Sequence, residues 1–163
     1  MQPLAPGALV GPHRIEELLS WNPRGGVYRV THQNQLAILK ELLVPEGLAT
    51  DQRRLRVQNL ERAVHAWQKL QHPQAIPVLE FMPQGHRIYL LLPELDGSTL
   101  RTHVRLRERP PEPTQAILCT YQLADLAGQL LNLRHPLAFE MLRDDRLLID
   151  SQANLTVFNP GWS

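Results

Sequence analysis

Several stretches hold side chains able to do chemistry, and each also has a plain structural use. Ser20–Tyr28, SWNPRGGVY, sets an adjacent glycine pair beside Asn22 and Pro23. That composition also makes a tight hairpin turn, in which glycine supplies φ > 0. Lys40 ends the apolar run Ala37-Ile38-Leu39, where a cation either serves a ligand or sits in water. Near the carboxyl end, Asp150, Ser151 and Asn154 lie between two β-favouring runs. They bond their own backbone readily, so 151–154 is predicted to be a turn. Asp144 and Asp145, just upstream, read as turn residues too. Arg101, Arg105, Arg107 and Arg109 form a basic patch best read as a solvated face. The seven histidines show no metal-ligand spacing and have no cysteine partners, so no metal site is predicted. Cys119 is the lone cysteine, which excludes an internal disulfide and suits a small buried hydrophobe.

The elements that must position these residues follow from pattern. With 163 residues, 43% of them hydrophobic and 20% charged, the chain has the make-up of an ordinary soluble domain. A net charge of +1 argues against general nucleic-acid binding. No apolar run approaches the roughly 20 residues that span a bilayer. The N-terminus lacks the pattern of a signal peptide, and a cytoplasmic location is expected. Residues 1–12, rich in Pro and Gly, are predicted to be an irregular arm. Strands are predicted over His13–Leu18, Val27–Thr31, Leu36–Leu42, Ala75–Met82 and Arg87–Leu92, with a turn at Asn34. Helices are predicted over Asp51–Gln71, Leu100–Arg109 and Thr114–Arg134, the last capped by Thr114. Strands Arg146–Asp150 and Leu155–Phe158 then form a hairpin.

Taken in order, these motifs resemble a eukaryotic-type Ser/Thr protein kinase from about Ile15 to Gly161. SWNPRGGVY resembles the glycine-rich loop that cradles phosphates, with Ser20 and Asn22 in place of two glycines. Ala37–Lys40 resembles the third-strand motif, which makes Lys40 the phosphate-pairing lysine and puts bulky Ile38 against adenine. The resemblance makes 51–71 the regulatory helix, with Ala63 where the Lys-pairing Glu stands and Glu61 turned elsewhere. It also makes Leu92 the gatekeeper and Pro93-Glu94-Leu95 the hinge. Lys40, Leu92, Pro93 and Leu95 would thus form a residual nucleotide site. Aligned on the second hairpin, Phe139-Glu140-Met141 replace His-Arg-Asp, and Arg143 falls on the catalytic-loop Lys. Arg146 replaces the metal-holding Asn, and Asn159-Pro160-Gly161 replace Asp-Phe-Gly.

The resemblance implies an α+β fold: a kinase-like small lobe of five antiparallel strands and one regulatory helix, then a truncated large lobe of helices and a β-hairpin. The expected boundaries are an arm at 1–12, small lobe and hinge at 13–95, and large-lobe segment at 96–163, where a family member would begin its activation segment. A kinase needs one carboxylate to accept the substrate proton and another to hold magnesium. With both replaced, the expectation is a catalytically inactive, pseudokinase-like module in phosphorylation signalling, without metal or resident cofactor beyond weak ATP. It would bind a protein partner, a downstream effector domain or a second copy. Leu118, Leu126, Leu130 and Leu133 on the long helix are the expected contact residues, because apolar side chains surround more than half of it. The alternatives are a magnesium-independent ATP sensor and a divergent active kinase using Asp144, Asp145 or Asp150.

Overall fold

The computed structural model describes residues 2–106, 112–132 and 146–157. It divides into two compact units, one of Met1–His65 with Pro77–Leu95, the other of Ala66–Ile76 with Asp96–Trp162.

The first unit is built on an antiparallel sheet of β1 (Leu9–Val10), β2 (His13–Asn22), β3 (Gly25–His32), β4 (Gln35–Leu43), β5 (Glu80–Gln84) and β6 (Arg87–Pro93). Their order across the sheet is β1-β2-β3-β4-β6-β5. In β3, buried Tyr28 and Val30 alternate with half-buried Val27 and Arg29, as expected when successive side chains point to opposite faces. In β4, Ala37, Ile38 and Leu39 are all buried, so this central strand is covered on both faces. The β3–β4 turn uses Gln33 and Asn34 at φ 48° and 63°, the two left-handed residues of a tight hairpin. Tyr28, Val30, Ala37, Leu39, Tyr89 and Leu91 form a core on one face of the sheet with Val10 and Ile15.

Three expectations change here. The arm is not irregular throughout: Leu9–Val10 pairs with β2, the Gly7 amide donates to the Ile15 carbonyl at 2.7 Å, and Leu4 packs on the core. The strand predicted over Ala75–Met82 is broken. Pro77 has no N–H and interrupts the ladder. Downstream of it, Leu79 donates to the Leu91 carbonyl at 2.8 Å and β5 pairs with β6. Upstream, Ala75 instead forms a parallel bridge with Val157. Helix α1 (Thr50–Gln68) stops three residues before the predicted end, and Gln71 turns to φ 45° ahead of His72-Pro73.

The second unit carries β7 (Ser98–Thr99), α2 (Leu100–Leu106), α3 (Pro113–Asn132), β8 (Leu147–Ile149) and β9 (Leu155–Val157), with sheet order β7-β8-β9. Thr99 caps α2, its hydroxyl accepting from the Thr102 amide at 3.1 Å. Proline fits the first turn of a helix, so α3 begins at Pro113 and Thr114 is not its cap. The predicted ends at Arg109, Arg134 and Phe158 lie outside the described residues. Ile149, Ala153 and Leu155 form a small core with Leu100, Cys119 and Leu123. Gln122, buried on α3, accepts from the Leu155 amide at 2.8 Å. Trp67 donates its indole N–H to the Ile76 carbonyl at 2.7 Å.

Candidate functional site

Lys40 lies on β4 between Val27 of β3 and Leu90 of β6. Strand alternation puts it on the same face as Ile38 and opposite to Leu39 and Glu41. Ile38 pairs with Leu92, and Ala37 with Pro93. The fold therefore brings Lys40, Leu92 and Pro93 onto two adjoining strands, although they are some fifty residues apart in the chain. Leu92 is fully buried, a wall residue, while Pro93 and Leu95 are half-buried. On α1, Ala63 is buried and Glu61 exposed, as their two-residue offset requires.

The glycine stretch is a tight hairpin. Asn22 pairs with Gly25, leaving the two-residue turn Pro23-Arg24, and Asn22 Oδ1 accepts from the Arg24 amide at 2.8 Å. A Cβ on Gly25 (φ 147°) would sit 2.0 Å from the Glu41 carbonyl oxygen, and one on Gly26 would strike the Tyr28 ring. Contacts within the sheet thus account for both glycines without a phosphate. A cavity of about 570 Å³ opens beside the hairpin tip, lined by Trp21, Arg24, Val44, Glu46 and Arg56. Lys40 is not among its lining residues.

Glu41 is wholly buried on the other face. Its Oε1 accepts from Arg87 Nη1 at 2.6 Å and its Oε2 from the Tyr28 hydroxyl at 2.8 Å. The Tyr28 oxygen accepts from the Leu4 amide at 3.1 Å, and Arg87 Nη2 donates to the Gln2 carbonyl at 3.1 Å. Burial pushes the Tyr28 phenol up to about 12; the Glu41 carboxylate adds to the shift and the Leu4 amide opposes it. Burial also raises Tyr89. This cluster fastens the amino-terminal arm to the sheet.

In the second unit, Arg146 directly precedes β8. Asp150 builds the turn: its Oδ1 accepts from the Gln152 and Asn154 amides at 2.8 and 2.9 Å, and its Oδ2 from the Asn154 side chain at 2.9 Å. The bonds from Asn154 hold its carboxyl below the ordinary value. These bonds engage both of its oxygens in the turn predicted at this end of the chain. Phe139, Glu140, Met141, Arg143, Asp144, Asp145, Asn159, Pro160 and Gly161 lie outside the described residues. Of the expected contact leucines, Leu118 is 40% exposed, whereas Leu126 and Leu130 are 0% and 1% exposed. Those two are core residues, since one stripe of α3 faces inward; Leu133 lies outside the described residues. The exposed large apolar side chains of α3 are Ile117, Leu118, Tyr121 and Leu131.

One cluster went unseen in the sequence. His13, His32 and Glu80 come from three strands, and each offers a ligand atom within 4.8 Å of the others. Their spacing along the chain carries no signal, because only the fold brings β2, β3 and β5 together there.

No family model matches the chain. Among solved structures it is similar to the kinase domain of PknI from Mycobacterium tuberculosis, with a TM-score of 0.75 at 19% identity. It is also similar to the apo form of PpkA-294, with a TM-score of 0.76 at 14% identity. Each match covers 98% of this chain and 62% of the other. Over 104 residues it is 29% identical to the Aurora/IPL1-related protein kinase 2 of Caenorhabditis elegans, which covers 64% of this chain and 33% of that protein. The fold is therefore protein-kinase-like. Its neighbours are Ser/Thr protein kinase domains, and the chain spans less than two thirds of their length. Among the described residues no helix is long and apolar enough to cross a membrane.

Proposed function

We propose that the chain is a kinase-like module that does not transfer phosphate and serves phosphorylation signalling by protein contact, as part of a larger protein. The observation that carries this reading is Arg146. It stands directly before β8, where the resemblance puts the amide that holds a metal ion. A guanidinium is always charged and has no acceptor, so it repels magnesium instead of ligating it. Met141, Asn159 and buried Ala63 support the same reading at three further positions. Phosphoryl transfer rests on positioning and charge neutralisation, so a site with a neutral amide for the metal carboxylate and a guanidinium for the metal amide loses its main source of catalysis. The partner surface is the exposed apolar side of α3 at Ile117, Leu118 and Tyr121, facing a protein partner, an effector domain or a second copy.

The test is incubation with labelled ATP, magnesium or manganese, and generic acceptors. The expected outcome is no transfer; transfer abolished by Lys40→Ala would overturn the proposal. A second reading, metal-independent ATP binding, draws on the adjoining placement of Lys40, Leu92 and Pro93. Thermal denaturation separates the two. Millimolar ATP bound with micromolar affinity stabilises the fold by about 4 kcal/mol. A stabilisation of that size without magnesium would favour the sensor.

A further inference from the structure

We propose that His13, His32 and Glu80 form a divalent transition-metal site, of the kind that takes Zn²⁺, which clasps the far edge of the main sheet to its second and third strands. His13 begins β2, His32 ends β3 and Glu80 begins β5. In the order β1-β2-β3-β4-β6-β5, the last strand is not a hydrogen-bonded neighbour of the second. Nevertheless Glu80 Oε2 lies 2.9 Å from His13 Nε2. The sheet has curled until its far edge meets its second strand, and the cluster marks the closure.

The chemistry of the three residues suits zinc. Two imidazoles and a carboxylate are a known zinc ligand set, and with three protein ligands the fourth position stays open to water. Zn–N bonds of 2.0–2.1 Å in a tetrahedral shell place two ligand nitrogens about 3.3 Å apart. His13 Nδ1 and His32 Nδ1 are 3.3 Å apart, and Glu80 Oε1 is 3.9 Å from His32 Nδ1. The His13 side chain is wholly buried, while those of His32 and Glu80 are 20% and 35% exposed. One ligand is thus fixed by packing, and two at the rim have room to close on an ion arriving from solvent. Zinc shared with His32 takes His13 through Nδ1, so Glu80, which faces Nε2 at 2.9 Å, turns at the rim to reach the ion.

The experiment is zinc titration of the chelator-stripped chain against a chromophoric competitor, with melting followed in parallel. Wild type should bind one tight equivalent and melt higher with zinc, reversibly on adding chelator. His32→Ala and Glu80→Gln should each weaken that equivalent at least tenfold and remove the thermal shift. His65→Ala, an exposed histidine on α1, should change neither. Circular dichroism checks folding. If His32→Ala does not fold, the milder Glu80→Gln decides. Absence of a tight equivalent in wild type, or binding untouched by the rim variants but lost in His65→Ala, overturns the site.

Discussion

Replacing Arg87 with Met isolates the buried charge that ties the arm to the sheet. The Glu41 side chain has no exposure and that of Arg87 is 25% exposed. Removing the guanidinium leaves a carboxylate inside the core without its counter-ion, and it also frees the Gln2 carbonyl. Breaking a buried pair in this way costs about 3–5 kcal/mol, set against a typical stability of about 5–15 kcal/mol. With a urea dependence of about 2 kcal/mol per molar, the unfolding midpoint should fall by about 2 M. The paired change Glu41→Met with Arg87→Met should cost less than Arg87→Met alone, because no charge remains buried. Some loss should persist, since the Tyr28 hydroxyl then lacks its acceptor. With Glu41→Met alone completing the cycle, urea unfolding followed by tryptophan fluorescence measures all four proteins. A loss under about 1 kcal/mol in the single variant, or strict additivity in the cycle, would show that water reaches Glu41 and refute the buried-pair account.

Burial of Tyr28 and the packing of α3 set two further outcomes. The folded state holds the Tyr28 proton up to about pH 12, whereas an unfolded tyrosine loses it near 10. Its contribution should be intact below pH 10 and lost between 10 and 12, and Tyr28→Phe should flatten that limb while the rise at Tyr89 leaves a remainder; an unchanged slope in the urea midpoint against pH would contradict this. On α3, Leu126→Ala should cost about 2–5 kcal/mol and Leu118→Ala within about 0.5 kcal/mol; calorimetric melts that rank them the other way would reverse the assignment of core and surface.

Local pattern made much of this protein legible. Alternation in 25–32, the apolar run in 35–43, the Asn34 turn, the apolar spacing of α1 and the Asp150–Asn154 turn are short-range effects, so the residues themselves carry them. The ordered motifs also made the kinase-like fold legible. Other features depended on partners distant in the chain. Pro77 splits a stretch that looks like one strand, because the ladder it would join needs an N–H that proline lacks. Leu118 and Leu126 are equally apolar; only the packing around α3 decides that one faces solvent and the other the core. Gly25 reads as a phosphate-loop glycine until the backbone of Glu41 is seen against it, and the Tyr28 ring stands against its neighbour Gly26. Glu41, next to Lys40 in sequence, faces away from it because successive strand residues point to opposite sides. The cluster at 13, 32 and 80 has no spacing to recognise, since curling the sheet is what brings the side chains of His13 and Glu80 together. Which residues form strands and turns was decided by the sequence, and which of them meet was decided by the closure of the sheet.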